Sequence, residues 1–136
     1  MKKVLVFGSF DLLHEGHRYF LCEAKKLGDE LIVVVARDST IKEFKGHDPK
    51  FDESERVKHV NDLNIVDEVR MGYTGDKWKI IEEIKPDLIA LGYDQDSYTK
   101  GLKEGLLKRG LKVKIVRLGS YIPKKYKSSL LKKTID

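Results

Sequence analysis

The chain has 136 residues, with 27 Lys and Arg against 22 Asp and Glu, a formal net charge of +5 and 40% hydrophobic side chains. That length buries a sizeable core, and the composition is that of one soluble globular domain, with no repeat, linker or low-complexity tract. A single cysteine, Cys22, excludes an internal disulfide and a cysteine metal cage, and no stretch approaches the roughly 20 apolar residues of a membrane helix.

The first apolar run is too short for a signal peptide, so the expected location is the cytoplasm. "KVLVF" (Lys3–Phe7) is continuous and rich in β-branched residues, as a strand covered on both faces requires. Phe20, Leu21, Ala24 and Leu27 then recur at helical spacing until Gly28 stops the helix. "ELIVVVA" (Glu30–Ala36) carries the strongest strand signal. From Arg37 to Phe51 there are many charges, Gly46 and Pro49 but no periodicity, which predicts a long loop of the functional kind. Asp52 and Glu55 form a capping box ahead of Val57, Val60 and Leu63.

A short strand is expected around Val66–Met71, then a helix around Lys77–Lys85 with Trp78, Ile81 and Ile84 on one face, ended by Pro86. "DLIALG" (Asp87–Gly92) is a buried strand running into glycine. A helix through Leu102, Leu106 and Leu107 stops at Gly110, and "KVKIVRL" (Lys112–Leu118) reads as the fifth strand. "SSLLKKTI" opens a last helix with Ser128 or Ser129 near its N-cap. Alternating strands and helices predict an α/β fold: a single doubly wound, Rossmann-like domain over residues 1–136 with a five-stranded parallel sheet.

In such a sheet ligands bind beyond the carboxyl ends of the strands. Three segments reach that edge: Gly8–His17, Gly92–Gln95 and Gly119–Ser129. Gly8 and Gly16 let the backbone approach a ligand, and the open N–H groups and dipole of the following helix favour phosphate. His14 and His17, three apart, project from one side of a helical turn. From spacing alone the pair reads three ways: donors to a phosphate, a metal site with Asp11 as third ligand, or a solvated pair without function. The segment matches neither the glycine–lysine phosphate loop nor the G-x-G-x-x-G fingerprint.

"GSFDLLHEGH" resembles the H-x-G-H signature of the cytidylyltransferase-like nucleotidyltransferases, a strand followed by G-[ST]-F-D-x-x-H-x-G-H. The resemblance runs through nearly the whole chain. "LGDELIVVVARDSTIKEFKG", "ESERVKHVNDLNIVDEV" and "PDLIALGYDQ" are similar in order and spacing to the archaeal FAD synthases, with glycerol-3-phosphate cytidylyltransferase next in resemblance. It implies that Ser9, Phe10, Glu15 and Gly16 contact the nucleotide, and that His14 and His17 hold its phosphates. Asp94, Tyr121, Ser128 and Ser129 are implied in the nucleotide-binding region. Lys45 is implied as a phosphate-binding, catalytic lysine that also faces the acceptor, with Arg56 and Arg117 as further acceptor contacts.

The implied reaction is attack by an acceptor phosphate on the α-phosphorus of a nucleoside triphosphate, with ATP and FMN giving FAD. CTP with a small phosphate is the alternative pair. Mg2+ is expected to arrive with the nucleotide, without protein metal ligands, and the resemblance suggests a homodimer. A reading of another class is a nucleotide- or nucleic-acid-binding module that draws its affinity from the basic tail "KKYKSSLLKK". The scarcity of aromatics in that tail argues against a nucleic-acid partner.

Overall fold

The computed structural model describes residues 2–73, 77–92 and 101–118. In chain order the elements are β1 (Lys3–Gly8), α1 (Glu15–Lys25), β2 (Glu30–Val35), α2 (Asp38–Lys45), α3 (Glu53–Asn61), β3 (Glu68–Met71), α4 (Lys77–Ile84), β4 (Leu88–Leu91), α5 (Leu102–Lys108) and β5 (Lys114–Arg117). The five strands form one sheet in the order β3-β2-β1-β4-β5, and every pair is parallel. This is the expected Rossmann-like α/β architecture. The order reverses at β1: the chain first builds outward through β2 and β3, then crosses to β4 on the other side. The Gly8–His17 segment leaves the carboxyl end of β1 at that reversal, where doubly wound sheets open a crevice for ligands.

The continuous apolar strands follow from the sheet being covered on both faces. Val4 and Val6 of β1, with Leu31, Val33 and Val35 of β2, pack against Leu21 and Ala24 of α1 and Val60 of α3. The alternate residues Leu5, Phe7, Ile32 and Val34 face Ile80, Ile81 and Ile84 of α4 and Leu102 and Leu106 of α5. Each enclosed aliphatic side chain contributes about 1.5–3 kcal/mol of transfer free energy. The register that sorts them pairs Val4 with Leu31 and Leu88, and Leu5 with Ile32 and Ile89.

The structure corrects two expectations. Arg37–Phe51 is not a continuous loop, because Asp38–Lys45 forms α2, with Ile41 buried and Gly46 closing the helix at φ 79°. β3 and β5 are four residues each, shorter than their apolar runs. The helix expected after Ser128 lies outside the described residues. No described helix is long and apolar enough to cross a membrane.

Candidate active site

α1 starts on an unusual cap. His14, in extended conformation, is the N-cap, and its Nδ1 accepts the Gly16 N–H at 2.9 Å. The His14 N–H in turn donates to Nδ1 of His17 at 3.3 Å. This is a reciprocal capping box, the arrangement that Ser or Thr and Glu or Gln ordinarily make. The two rings lie 4.1 Å apart between centroids, inclined at 44°.

The cap sets the chemistry of both rings. A ring nitrogen that accepts a backbone N–H carries no proton, so in the neutral imidazole the proton sits on Nε2. Each histidine therefore satisfies the helix end with one nitrogen and presents the other as an N–H donor. The cap is built from imidazole nitrogens and brings no carboxylate to the positive end of the α1 dipole.

The motif glycines make room for these rings. A Cβ on Gly16 would stand 2.7 Å from Cε1 of His14, and one on Gly8 would stand 2.6 Å from Cε2 of Phe10. The space that a Cβ would need at both glycines is thus taken by side chains of the motif itself.

Phe10 is 2% exposed and belongs to the core cluster over α1. Its backbone is left-handed at φ 50°, a conformation that costs a non-glycine residue roughly 1–2 kcal/mol. The ring lies 5.6 Å from that of His17. Its side chain packs in the core beneath the loop.

Ser9 and Lys45, 36 positions apart, do meet. Lys45, on the last turn of α2, brings its Nζ to 3.5 Å from the Ser9 hydroxyl. The helix that the sequence hid thus carries the expected lysine to the loop that holds the histidines. Glu15 is exposed on the first turn of α1.

Arg56 was expected to bind the acceptor; here it is wholly enclosed. Its Nε donates to the Phe51 carbonyl at 3.0 Å, Nη1 to the Ser9 carbonyl at 2.9 Å and Nη2 to Asp38 Oδ1 at 2.7 Å. Arg117 sits at the carboxyl end of β5, where Nη1 donates to the Gly92 carbonyl at 2.9 Å. Asp94, Tyr121, Ser128 and Ser129 lie outside the described residues.

Asp11 accepts the backbone N–H groups of Lys50 at 2.7 Å and Phe51 at 2.9 Å. Burial pushes its pKa up, but these two bonds and the charges of Arg56 and Lys45 outweigh that and hold it below the ordinary value. The carboxylate ties the segment before α3 to the β1–α1 loop, which is a different role from the third metal ligand considered for it. Among the described residues no group of three His, Cys, Asp or Glu side chains is placed to hold a metal ion.

Three residues of this wall escaped the sequence reading. Glu53 accepts the Asp38 N–H at 2.9 Å and pairs with Arg37 at 3.3 Å, and Arg37 Nε donates to the Gly72 carbonyl at 2.7 Å. The available signal was "ARDS": polar side chains directly beyond the carboxyl end of a buried strand, where sites gather. Arg56 itself entered through the family resemblance, as an expected acceptor contact.

Comparison with known proteins shows the family. The family described as cytidylyltransferase-like matches residues 5–134. An FAD synthase of Aciduliprofundum boonei is 50% identical over 121 residues, 89% of this chain and 80% of its own. An FAD synthase of Thermoplasma volcanium is 46% identical over 135 residues, 99% of this chain and 94% of its own. A solved structure titled as a lipopolysaccharide core biosynthesis protein from Thermoplasma volcanium superposes with a TM-score of 0.85 at 48% identity, covering 90% of this chain and 99% of that one.

Proposed function

The chain belongs to the cytidylyltransferase-like family, and from that premise we propose that it joins ATP and FMN into FAD and pyrophosphate. The observation that supports the reading is the histidine cap at the strand-order reversal, where both Nδ1 atoms accept backbone N–H groups at the start of α1. The choice of FMN rests on the similarity to proteins named FAD synthase, at 46% and 50% identity over most of the chain.

A phosphate oxygen of FMN attacks the α-phosphorus of ATP. The new P–O bond forms as the α–β bridging bond breaks, and the electron pair leaves with pyrophosphate. The attacking phosphate is already ionised, so the protein needs no strong base. Its contribution is positioning and stabilisation of charge. The Nε2–H groups of His14 and His17 hydrogen-bond phosphate oxygens as their charge redistributes. The α1 N-terminus adds its dipole, and Lys45, resting on Ser9, adds a point charge. Mg2+ enters as part of the ATP complex, bound to the triphosphate. Arg117, Asp94, Tyr121, Ser128 and Ser129 complete the nucleotide and acceptor contacts in this reading, and the enzyme works in the cytoplasm.

The test is incubation of the purified protein with Mg2+, ATP and FMN, with FAD and pyrophosphate quantified together. Equimolar products are expected. His14→Ala or His17→Ala should lower turnover by roughly 10²–10³ with the fold retained, the usual loss of one charge-stabilising donor. CTP consumption with glycerol 3-phosphate and no FAD, or nucleotide binding without turnover, contradicts the proposal.

A further inference from the structure

Among the described residues Arg56 is the one charged side chain that is fully buried. A guanidinium loses much solvation on burial, and it stays charged in a core only where its N–H groups find partners. All three nitrogens of Arg56 do, and their acceptors belong to three different segments: the entry to α3 at Phe51, the loop after β1 at Ser9 and the start of α2 at Asp38. No other described side chain joins these three. They are the segments that frame the site, since α2 carries Lys45 and the Ser9 loop leads into the histidines.

The bond to Ser9 has the most direct consequence. The residue after that carbonyl is Phe10, held at φ 50°. A strained backbone of this kind persists only where its surroundings over-determine it. Two restraints are visible. The Phe10 ring fills the space over Gly8 and lies 5.6 Å from the His17 ring, and the Ser9 carbonyl is pinned by Arg56 at 2.9 Å. The Ser9 hydroxyl, on the same residue, is the group Lys45 reaches.

We infer that Arg56 is a positioning residue for adenylyl transfer. By fixing the Ser9 carbonyl it holds Phe10 in its left-handed turn, and through Phe10 and Ser9 it sets the His17 ring and Lys45, without touching substrate. The kinetic side of the inference rests on the proposed reaction, and the geometric side does not. Arginine is required because its planar fork donates in three fixed directions. An ammonium at this position keeps the charge beside Asp38 and cannot also pin Ser9 and Phe51.

Arg56→Lys and Arg56→Met in the full chain test this. FAD formation should show kcat lowered about 100-fold in both, the loss expected when reacting groups are misplaced by about an ångström. KM for ATP and for FMN should stay within about threefold, because no ground-state contact is removed. Long-range 1H–15N spectra of the histidine rings of the free protein should show an unprotonated Nδ1 on His17 in the wild type and loss of that fixed tautomer in Arg56→Met. A KM raised about tenfold or more with kcat retained makes Arg56 a substrate ligand and overturns the inference. So does a lowered thermal midpoint with normal kcat. Where Arg56→Met does not fold, Arg56→Lys decides, and there kcat and the His17 tautomer must both change. If the wild type forms no FAD, the proposed reaction falls, and an unchanged His17 tautomer in Arg56→Lys overturns the inference independently.

Discussion

Helices α1 and α3 begin with the same hydrogen-bond pattern and opposite electrostatics. At α3, Asp52 accepts the Glu55 N–H at 2.8 Å and Glu55 accepts the Asp52 N–H at 3.1 Å. With Glu53 also in the first turn, the positive end of that helix is met by carboxylates of its own chain. At α1 the two bonds are made by imidazole nitrogens, and Glu15 is the one acidic residue of the first turn. A carboxylate cap stabilises a helix and repels an anionic ligand. An imidazole cap satisfies helix N–H groups without bringing a carboxylate to the helix end. One box is structural; the other, under the proposed function, is structural and chemical at once.

The harshest way to break this comparison is to write the α3 cap into α1 by the double substitution His14→Asp, His17→Glu. The protein should fold with its thermal midpoint preserved or raised, while FAD formation falls by about 10³-fold or more, since two donors are replaced by two anions. Turnover near the wild-type level would mean that the histidines act only as caps.

His17→Asn and His17→Gln sharpen it by separating the two nitrogens. The Asn side-chain oxygen can stand where Nδ1 stands, and the Gln amide reaches toward Nε2. Asn should keep the helix cap and lose about 100-fold in turnover. Gln should retain more turnover and cost about 1 kcal/mol of stability in denaturant titrations, the usual value of a lost cap. The reverse ranking would dissolve the division of labour.

Smaller effects follow for the neighbouring charges. Lys45→Ala should lower turnover about tenfold by removing a point charge near the phosphates. Lys42→Ala, whose ammonium pairs with Asp48 at 3.8 Å, should leave turnover unchanged. Smallest of all in activity is Asp52→Ala, which should cost about 1 kcal/mol of stability with kcat and KM untouched.

Much of this was legible in the chain, and the failures have physical causes. The five apolar runs announced the parallel sheet because burial on both faces leaves no polar alternation, and Asp52–Glu55 announced the start of α3 because both partners lie within one turn. α2 stayed hidden for the opposite reason. Arg37 at its N-cap makes no side-chain cap, and the helix is capped instead by Glu53, 15 residues beyond Asp38. A helix start stabilised from another element leaves no local signal. The same holds for the glycines: sequence shows that a Cβ is excluded at positions 8 and 16, but only the fold shows that Phe10 and His14 are what exclude it. The H-x-G-H spacing marked the candidate site, whereas the capping box needed the ring orientations.

The most direct measurement is the long-range 1H–15N spectrum of the His14 and His17 rings at neutral pH, recorded without and with Mg·ATP. Both rings should be neutral with the proton on Nε2 in each state, and the Nε2–H signals should move on nucleotide binding while Nδ1 remains unprotonated. A proton on Nδ1 of either ring in the complex, whether from the other tautomer or from a charged imidazolium, would contradict a neutral histidine cap that grips phosphate.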